Sequence, residues 1–234
     1  MTSEPDNLPV VLVHGFASSG VRTWGESGWL DLLADAGRQV VALDLLGHGA
    51  ADKPHDPQAY ARLEELALAD FPEGQVDAIG FSLGARTLLV LAAAHPERFG
   101  RLVLAGVGAN LLRADQSSAE LADHIEQADE LTPEASPVAQ YFRAQAREPG
   151  SDPLALAACM RRNPPPVTAE LLARVTCPVL LVIGDRDFAG PVEPLAELLP
   201  DARVVTLRGV DHFATPKDFG FLDAGLDFVG AAPG

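Results

Sequence analysis

The chain has 234 residues, 47% of them hydrophobic, which is enough to bury one full core without requiring a second domain. Lysine and arginine number 17 against 33 aspartate and glutamate, a formal charge of −16 whose average field repels phosphate backbones and anionic lipid headgroups. Neither nucleic acid nor a membrane surface is therefore an expected partner, and composition is silent on oligomeric state.

Met1 to Pro9 carries Glu4 and Asp6 where a secretory leader needs basic residues and then an apolar run, and no apolar stretch reaches spanning length. A cytoplasmic protein is expected. The two cysteines, Cys159 and Cys177, show no metal-type spacing and are expected as buried thiols, with a single bridge left open by the sequence.

Apolar runs rich in Val, Leu and Ile recur along the chain, and several are too continuous for half-exposed strands. Pro9 to Val13 is the first, followed by a helix-like stretch from Trp29 to Ala36 and a second run from Gln39 to Leu43. A helical segment from Ala59 to Ala69 leads to the run Val76 to Ile79, and a longer one from Leu83 to His95 leads to Arg101 to Ala105. After a long interval come Pro178 to Ile183, a helical Pro191 to Leu199, and Ala202 to Leu207. Buried strands alternating with helices of crossover length predict an open, doubly wound α/β sheet, mostly parallel.

The interval from Asn110 to Arg174 breaks this alternation with Ala- and Glu-rich helical stretches punctuated by Pro133, Pro137, Pro149 and Pro153. It is too long for a structureless loop, so residues 1–234 read as one domain carrying a helical cap insertion at about 110–174. Asn163-Pro164-Pro165-Pro166 cannot continue a helix and marks the return to the core. The tail from Gly230 is expected to fray.

Gly80-Phe81-Ser82-Leu83-Gly84 closes one predicted strand and opens the next predicted helix, the context that a G-x-S-x-G elbow requires. At so sharp a turn the serine backbone is strained, and small residues at 80 and 84 let neighbouring backbones pass close by. The hydroxyl is thereby raised above the sheet edge, with the positive end of a helix aimed at any oxyanion formed beside it. The plainer alternative is a serine that merely caps the helix.

A serine hydroxyl needs a base of pKa near 7 within hydrogen-bond reach. His14, His48 and His95 sit in turns or at a helix end, where histidine commonly supports the backbone, and His55 and His124 lie in polar, exposed-looking stretches. His212 follows the last predicted strand, and a loop at the sheet's carboxyl edge can carry its ring to Ser82. The acid that orients it should also end a strand, where Asp185 and Asp187 compete and one of them is a turn-capping aspartate. Asp211 is adjacent to His212, which points the two side chains apart.

Together, His14-Gly15-Phe16, the run Asp44 to Gly49, the elbow Gly80 to Gly84, Gly184 to Asp187 and Gly209 to Phe213 resemble the α/β-hydrolase superfamily across nearly the whole chain. The resemblance implies that Asp187, last residue of the G-x-x-D turn, is the acid. It also implies that the Phe16 and Leu83 amides form the oxyanion hole. Serine rather than aspartate at the elbow argues against the haloalkane dehalogenase and epoxide hydrolase branches. Two departures stand out. Ala51 occupies a position where the family often has serine, and only about eight residues precede the first strand, which implies a smaller sheet of about six strands.

The implied chemistry is acyl transfer through Ser82, His212 and Asp187, with no metal or organic cofactor. Phe16, Trp24, Phe81, Leu112, Tyr141, Phe142 and Met160 are candidates for a hydrophobic acyl pocket, although core packing explains any one of them as well. With no evident basic clamp in an acidic chain, the expected substrate is a small or medium neutral carboxylic ester. Thioesters, lactones, C–C bonds and perhydrolysis suit the same triad, and a ligand-binding protein on the same fold is the alternative outside catalysis.

Overall fold

The computed structural model describes residues 7–114, 118–127, 136–162 and 164–232. Among these residues six strands form one sheet: β1 (Val10–Val13), β2 (Val40–Leu43), β3 (Val76–Phe81), β4 (Phe99–Ala105), β5 (Val179–Gly184) and β6 (Ala202–Leu207). Every pairing is parallel and the order is β2-β1-β3-β4-β5-β6. The expected fold class and strand count hold, and the sheet is wholly rather than mostly parallel.

Strand periodicity splits the core into two layers. Val11, Val13, Ala78, Leu102, Leu104, Val179 and Leu181 face one side of the sheet, while Val10, Leu12, Ile79, Val103, Leu180 and Val182 face the other. The first layer is closed by α2 (Leu63–Leu68), α3 (Leu83–Ala94), α7 (Ala169–Leu172) and α8 (Glu193–Ala196). The second is closed by α1 (Trp29–Asp35) and α9 (Phe219–Phe228), whose Trp29 and Phe221 rings lie 4.8 Å apart.

Below the sheet, Arg38 is buried and donates to the carbonyls of Leu8 and Val229 and, at 2.6 Å, to Asp77 at the start of β3. One guanidinium thus ties α9 to the amino ends of β1 and β3. A buried charge of this kind is tolerable because it is both paired and hydrogen-bonded.

Several helix boundaries differ from the sequence reading. Asp56 accepts from the Gln58 amide at 2.9 Å and Pro57 sets a tight 3-10 turn, so the stretch 59–69 opens as that turn and only Leu63–Leu68 is α-helical. The stretch 191–199 narrows to α8, which follows Gly190 and Pro191. The helix α9 was not foreseen.

Between β4 and β5 the chain forms α4 (Ser118–Glu126), α5 (Pro137–Gln145) and α6 (Pro153–Arg161). Ser136 and Asp152 cap α5 and α6, each ahead of a proline at the first helical position. Ala122, Ile125, Phe142, Ala146, Leu156 and Ala157 bury their side chains together, with Phe16 and Phe213 packed against them. Pro133 and Asn163, two of the predicted helix breakers, lie outside the described residues, as do the last two residues of the tail. Cys159 and Cys177 are free and buried, and burial pushes both thiols up to about 11.

Candidate active site

The strand order reverses at β1 and β3, which are neighbours with Val13 opposite Gly80. Ligands of open α/β sheets bind outside the carboxyl ends of the strands at such a switch point. Here the loop after β1 and the turn after β3 meet.

Ser82 stands in that turn at φ 51° and ψ −110°, one of two non-glycine residues with positive φ among the described residues; the other is Ala17, in the loop after β1. Such a backbone costs of order 1–3 kcal/mol and persists only where the surroundings impose it. They do so here: a Cβ at position 84 would lie 2.1 Å from the Val13 carbonyl oxygen, and one at position 80 would lie 2.7 Å from the Ala85 amide nitrogen. Glycine at both positions lets α3 start directly against β1 and β3. The Ser82 side chain makes no capping bond to α3, which disposes of the plain helix-cap alternative.

Instead, Ser82 Oγ lies 3.0 Å from His212 Nε2. Nδ1 of His212 is 2.9 and 3.0 Å from the two carboxylate oxygens of Asp187, which puts its proton on Nδ1 and leaves Nε2 to accept from the serine. Asp187 has no exposed side-chain surface, and its Oδ1 also accepts from the Ala189 amide at 2.8 Å. The competing carboxylate, Asp185, accepts from the Gly209 amide and so ties the turn after β5 to the loop after β6, while Asp211 accepts from the Ala214 amide and caps its own local turn. The imidazole lies between two rings, with centroids 4.9 Å from Phe81 and 4.2 Å from Phe188.

On the β1 side, His14 is fully buried and donates from Nδ1 to the Gly15 carbonyl at 2.8 Å while Nε2 accepts from the Leu45 amide. This bond orients the Gly15–Phe16 peptide plane, and no hydrogen bond among the described residues engages the Phe16 amide. Leu83 is the first residue of α3, where the amide has no intrahelical acceptor. The other histidines hold structure: His48 donates to Leu46, His95 and His55 meet Glu65 and Asp152, and His124 bonds the Glu120 carbonyl.

A cavity of about 170 Å³ opens beside Ser82 and His212. Phe16, Phe81, Tyr141, Phe142 and Phe213 form its apolar wall. Three proposed pocket residues are elsewhere. Trp24 packs into the core against Trp29, Leu112 packs on the first core layer, and Met160 packs among α4–α6, where its sulfur accepts from Ser118. Phe213, which lines the cavity, and Phe188, which packs on the His212 ring without lining it, are not singled out by the sequence, although each adjoins a triad candidate.

Arg22 and Lys217, two basic residues that the sequence does not single out, line the cavity together with Glu26 and Gln145. A larger, open depression of about 540 Å³ lies at the opposite, amino ends of β3, β4 and β5 and contains none of these groups. Among the described residues no cluster of three or more His, Cys, Asp or Glu side chains could hold a metal ion, and no helix is long and apolar enough to cross a membrane.

A parallel sheet of this order with a strand–turn–helix elbow at its switch point is the architecture of a known class of folds. The chain belongs to the alpha/beta hydrolase fold family, whose model matches residues 9–135, more than half of its length. It is 30% identical over 241 residues to the pimeloyl-[acyl-carrier protein] methyl ester esterase of Neisseria meningitidis, a match covering 90% of this chain and 88% of that protein. It is 34% identical to the 2-hydroxymuconate semialdehyde hydrolase of a Pseudomonas species, but over only 42% of this chain and 36% of that protein's length. Among solved structures, a hydrolase from Pseudomonas aeruginosa superposes with a TM-score of 0.68 at 27% identity, covering 96% of this chain and 91% of the other.

Proposed function

We propose that this protein is a serine hydrolase that cleaves a carboxylic ester through an acyl-enzyme on Ser82. The observation that carries the reading is the hydrogen-bonded line Ser82–His212–Asp187 above the carboxyl edge of the sheet. Ser82 Oγ attacks the ester carbonyl carbon as His212 Nε2 takes its proton, and the buried Asp187 carboxylate stabilises the imidazolium. The Phe16 and Leu83 amides receive the oxyanion; one such donor is typically worth about 3 kcal/mol of barrier. His212 then protonates the departing alkoxide, and water, activated by the same imidazole, releases the acid and restores Ser82.

The near full-length likeness to a protein named as a methyl ester esterase supports ester cleavage over the C–C chemistry of the relative matched across less than half of this chain. The apolar wall of Phe16, Phe81, Tyr141, Phe142 and Phe213 suits a hydrophobic acyl or alcohol portion of modest size. In this reading α4–α6 act as a cap over the site.

The test is hydrolysis of p-nitrophenyl acetate by the wild type and Ser82→Ala, combined with a fluorophosphonate label mapped by mass spectrometry. Turnover and labelling at Ser82, both lost in the variant, are expected. A folded wild type that neither turns over nor labels would overturn the reading in favour of a ligand-binding role.

A further inference from the structure

The chain carries a charge of −16, yet the wall of the cavity beside Ser82 is locally cationic. Arg22, Lys217 and Glu26 are the lining residues whose side chains are always charged near neutral pH. Lys217 Nζ and Glu26 Oε2 lie 3.7 Å apart at the exposed rim and offset one another. Arg22 is half-buried and has no carboxylate within ion-pair distance among the described residues. Its guanidinium donates to Gln145 Oε1 at 2.5 Å, a neutral acceptor that orients the group without cancelling its charge.

The group is set for a purpose that the fold does not consume. Arg22 lies in the short helical turn Val21–Gly25 that follows the loop after β1, and Gln145 ends α5, so the pair forms only when α5 lies over the β1 side of the site. Tyr141, stacked on Phe213 at 3.7 Å, adds a hydroxyl to the same wall. Burial pushes that phenol upward, with the Arg22 cation opposing the shift and the Asp211 carboxylate adding to it. At physiological ionic strength, fields are screened over about 8 Å, so the wall and not the net charge decides what binds.

We infer that the site takes esters bearing a carboxylate remote from the scissile bond, with Arg22 as the residue that anchors it. The inference rests on the ester hydrolase reading of the same site. A planar guanidinium with free N–H donors matches a carboxylate in two-point geometry, and the partial burial makes that contact stronger than an exposed pair. Gln145 acts as a positioning residue that aims the guanidinium.

The test compares half-methyl esters of succinate, adipate and suberate with the matching monoamides, which keep shape and lose charge. The wild type is expected to favour the carboxylate member of at least one pair about tenfold or more in kcat/KM. Arg22→Gln is expected to erase that ratio and Arg22→Lys to restore part of it. A role for Arg22 confined to tethering α5 would lower both members of each pair alike and leave the ratio intact, which would overturn the inference.

Calorimetry of monomethyl adipate with S82A and with S82A/R22Q reads the anchor without turnover. About tenfold weaker binding to the double variant is expected, and equal affinities would overturn the inference. Labelling of Ser82 and turnover of the amides, with no carboxylate preference, would leave the hydrolase reading standing while the anchor fails. Arginine-dependent binding without labelling would do the reverse.

Discussion

The two carboxylate oxygens of Asp187 flank Nδ1 of His212 at 2.9 and 3.0 Å, in a pocket where the carboxylate has no exposed surface. That arrangement holds the imidazole in the tautomer whose Nε2 can accept from Ser82. Asp187→Asn keeps the shape but offers an amide where the proton of Nδ1 must be received, so the wrong tautomer is favoured. A loss of about 10⁴ in kcat is expected, with the melting temperature nearly unchanged. Steady-state kinetics beside a thermal melt check it; a loss below about tenfold would remove Asp187 from the relay.

Gly84 meets the Val13 carbonyl oxygen more closely than any side chain allows. Because the obstacle is backbone, Gly84→Ala must push α3 away from β1, which moves the Ser82 turn and the loop bearing Phe16 apart. Overpacking of this kind costs about 1–3 kcal/mol. Small displacements of reacting groups can cost about 10²-fold in rate. Urea unfolding and esterase assays should therefore fall together; a variant of wild-type stability and rate would show that the contact is relieved elsewhere.

Phe188 covers the outer face of the His212 ring at 4.2 Å although half of Phe188 is exposed to solvent. In the proposed mechanism the imidazole becomes cationic, and a ring over its face stabilises that charge. Phe188→Ala is expected to reduce kcat/KM up to about tenfold, with Phe188→Tyr near the wild type; aromatic contacts worth about 0.5–1.5 kcal/mol set that ceiling. Equal rates for Phe188→Ala and the wild type would assign the ring to packing alone.

His48 is buried beside His14 and Phe16, and burial, followed by repulsion from His14, lowers its pKa from 6.5 to about 3. Burial lowers His14 as well. Between those two pH values the unfolded chain binds a proton at His48 that the folded chain refuses, so stability is fully present above about 6.5 and drains away as pH falls toward about 3. The slope is about 1.4 kcal/mol per pH unit for one such group. Melting temperatures measured from pH 7.5 downward should fall less steeply for His48→Asn, which still offers a donor to the Leu46 carbonyl. The same slope in both proteins would place the acid sensitivity elsewhere.

Much of the architecture was readable from local pattern. The β strands are continuous Val, Leu and Ile runs because both faces of a parallel sheet are covered, and residues such as Val10 to Val13 need no partner information to declare it. The helix α9 was hidden because Gly220 and Gly225 interrupt its apolar pattern; Gly225 is there because a Cβ would lie 2.5 Å from the Trp29 ring. Trp24 and Met160 read as pocket candidates because an aromatic or thioether side chain looks the same in sequence whether it lines a cavity or fills a core.

The strand–turn–helix setting of Ser82 and the apolar run before each candidate acid are properties of neighbouring residues, which is why the sequence by itself determined them. The resemblance of the G-x-x-D turn already points to Asp187 as the partner of His212. Which rings enclose the imidazole, and that Arg22 lies against Gln145 across 123 positions, are properties of strand order and helix docking. Those contacts exist only once the chain has closed its loops, and their energies depend on distances that no local pattern encodes. The tertiary structure alone could therefore turn an acidic chain with no visible basic clamp into a site with a cation on its wall.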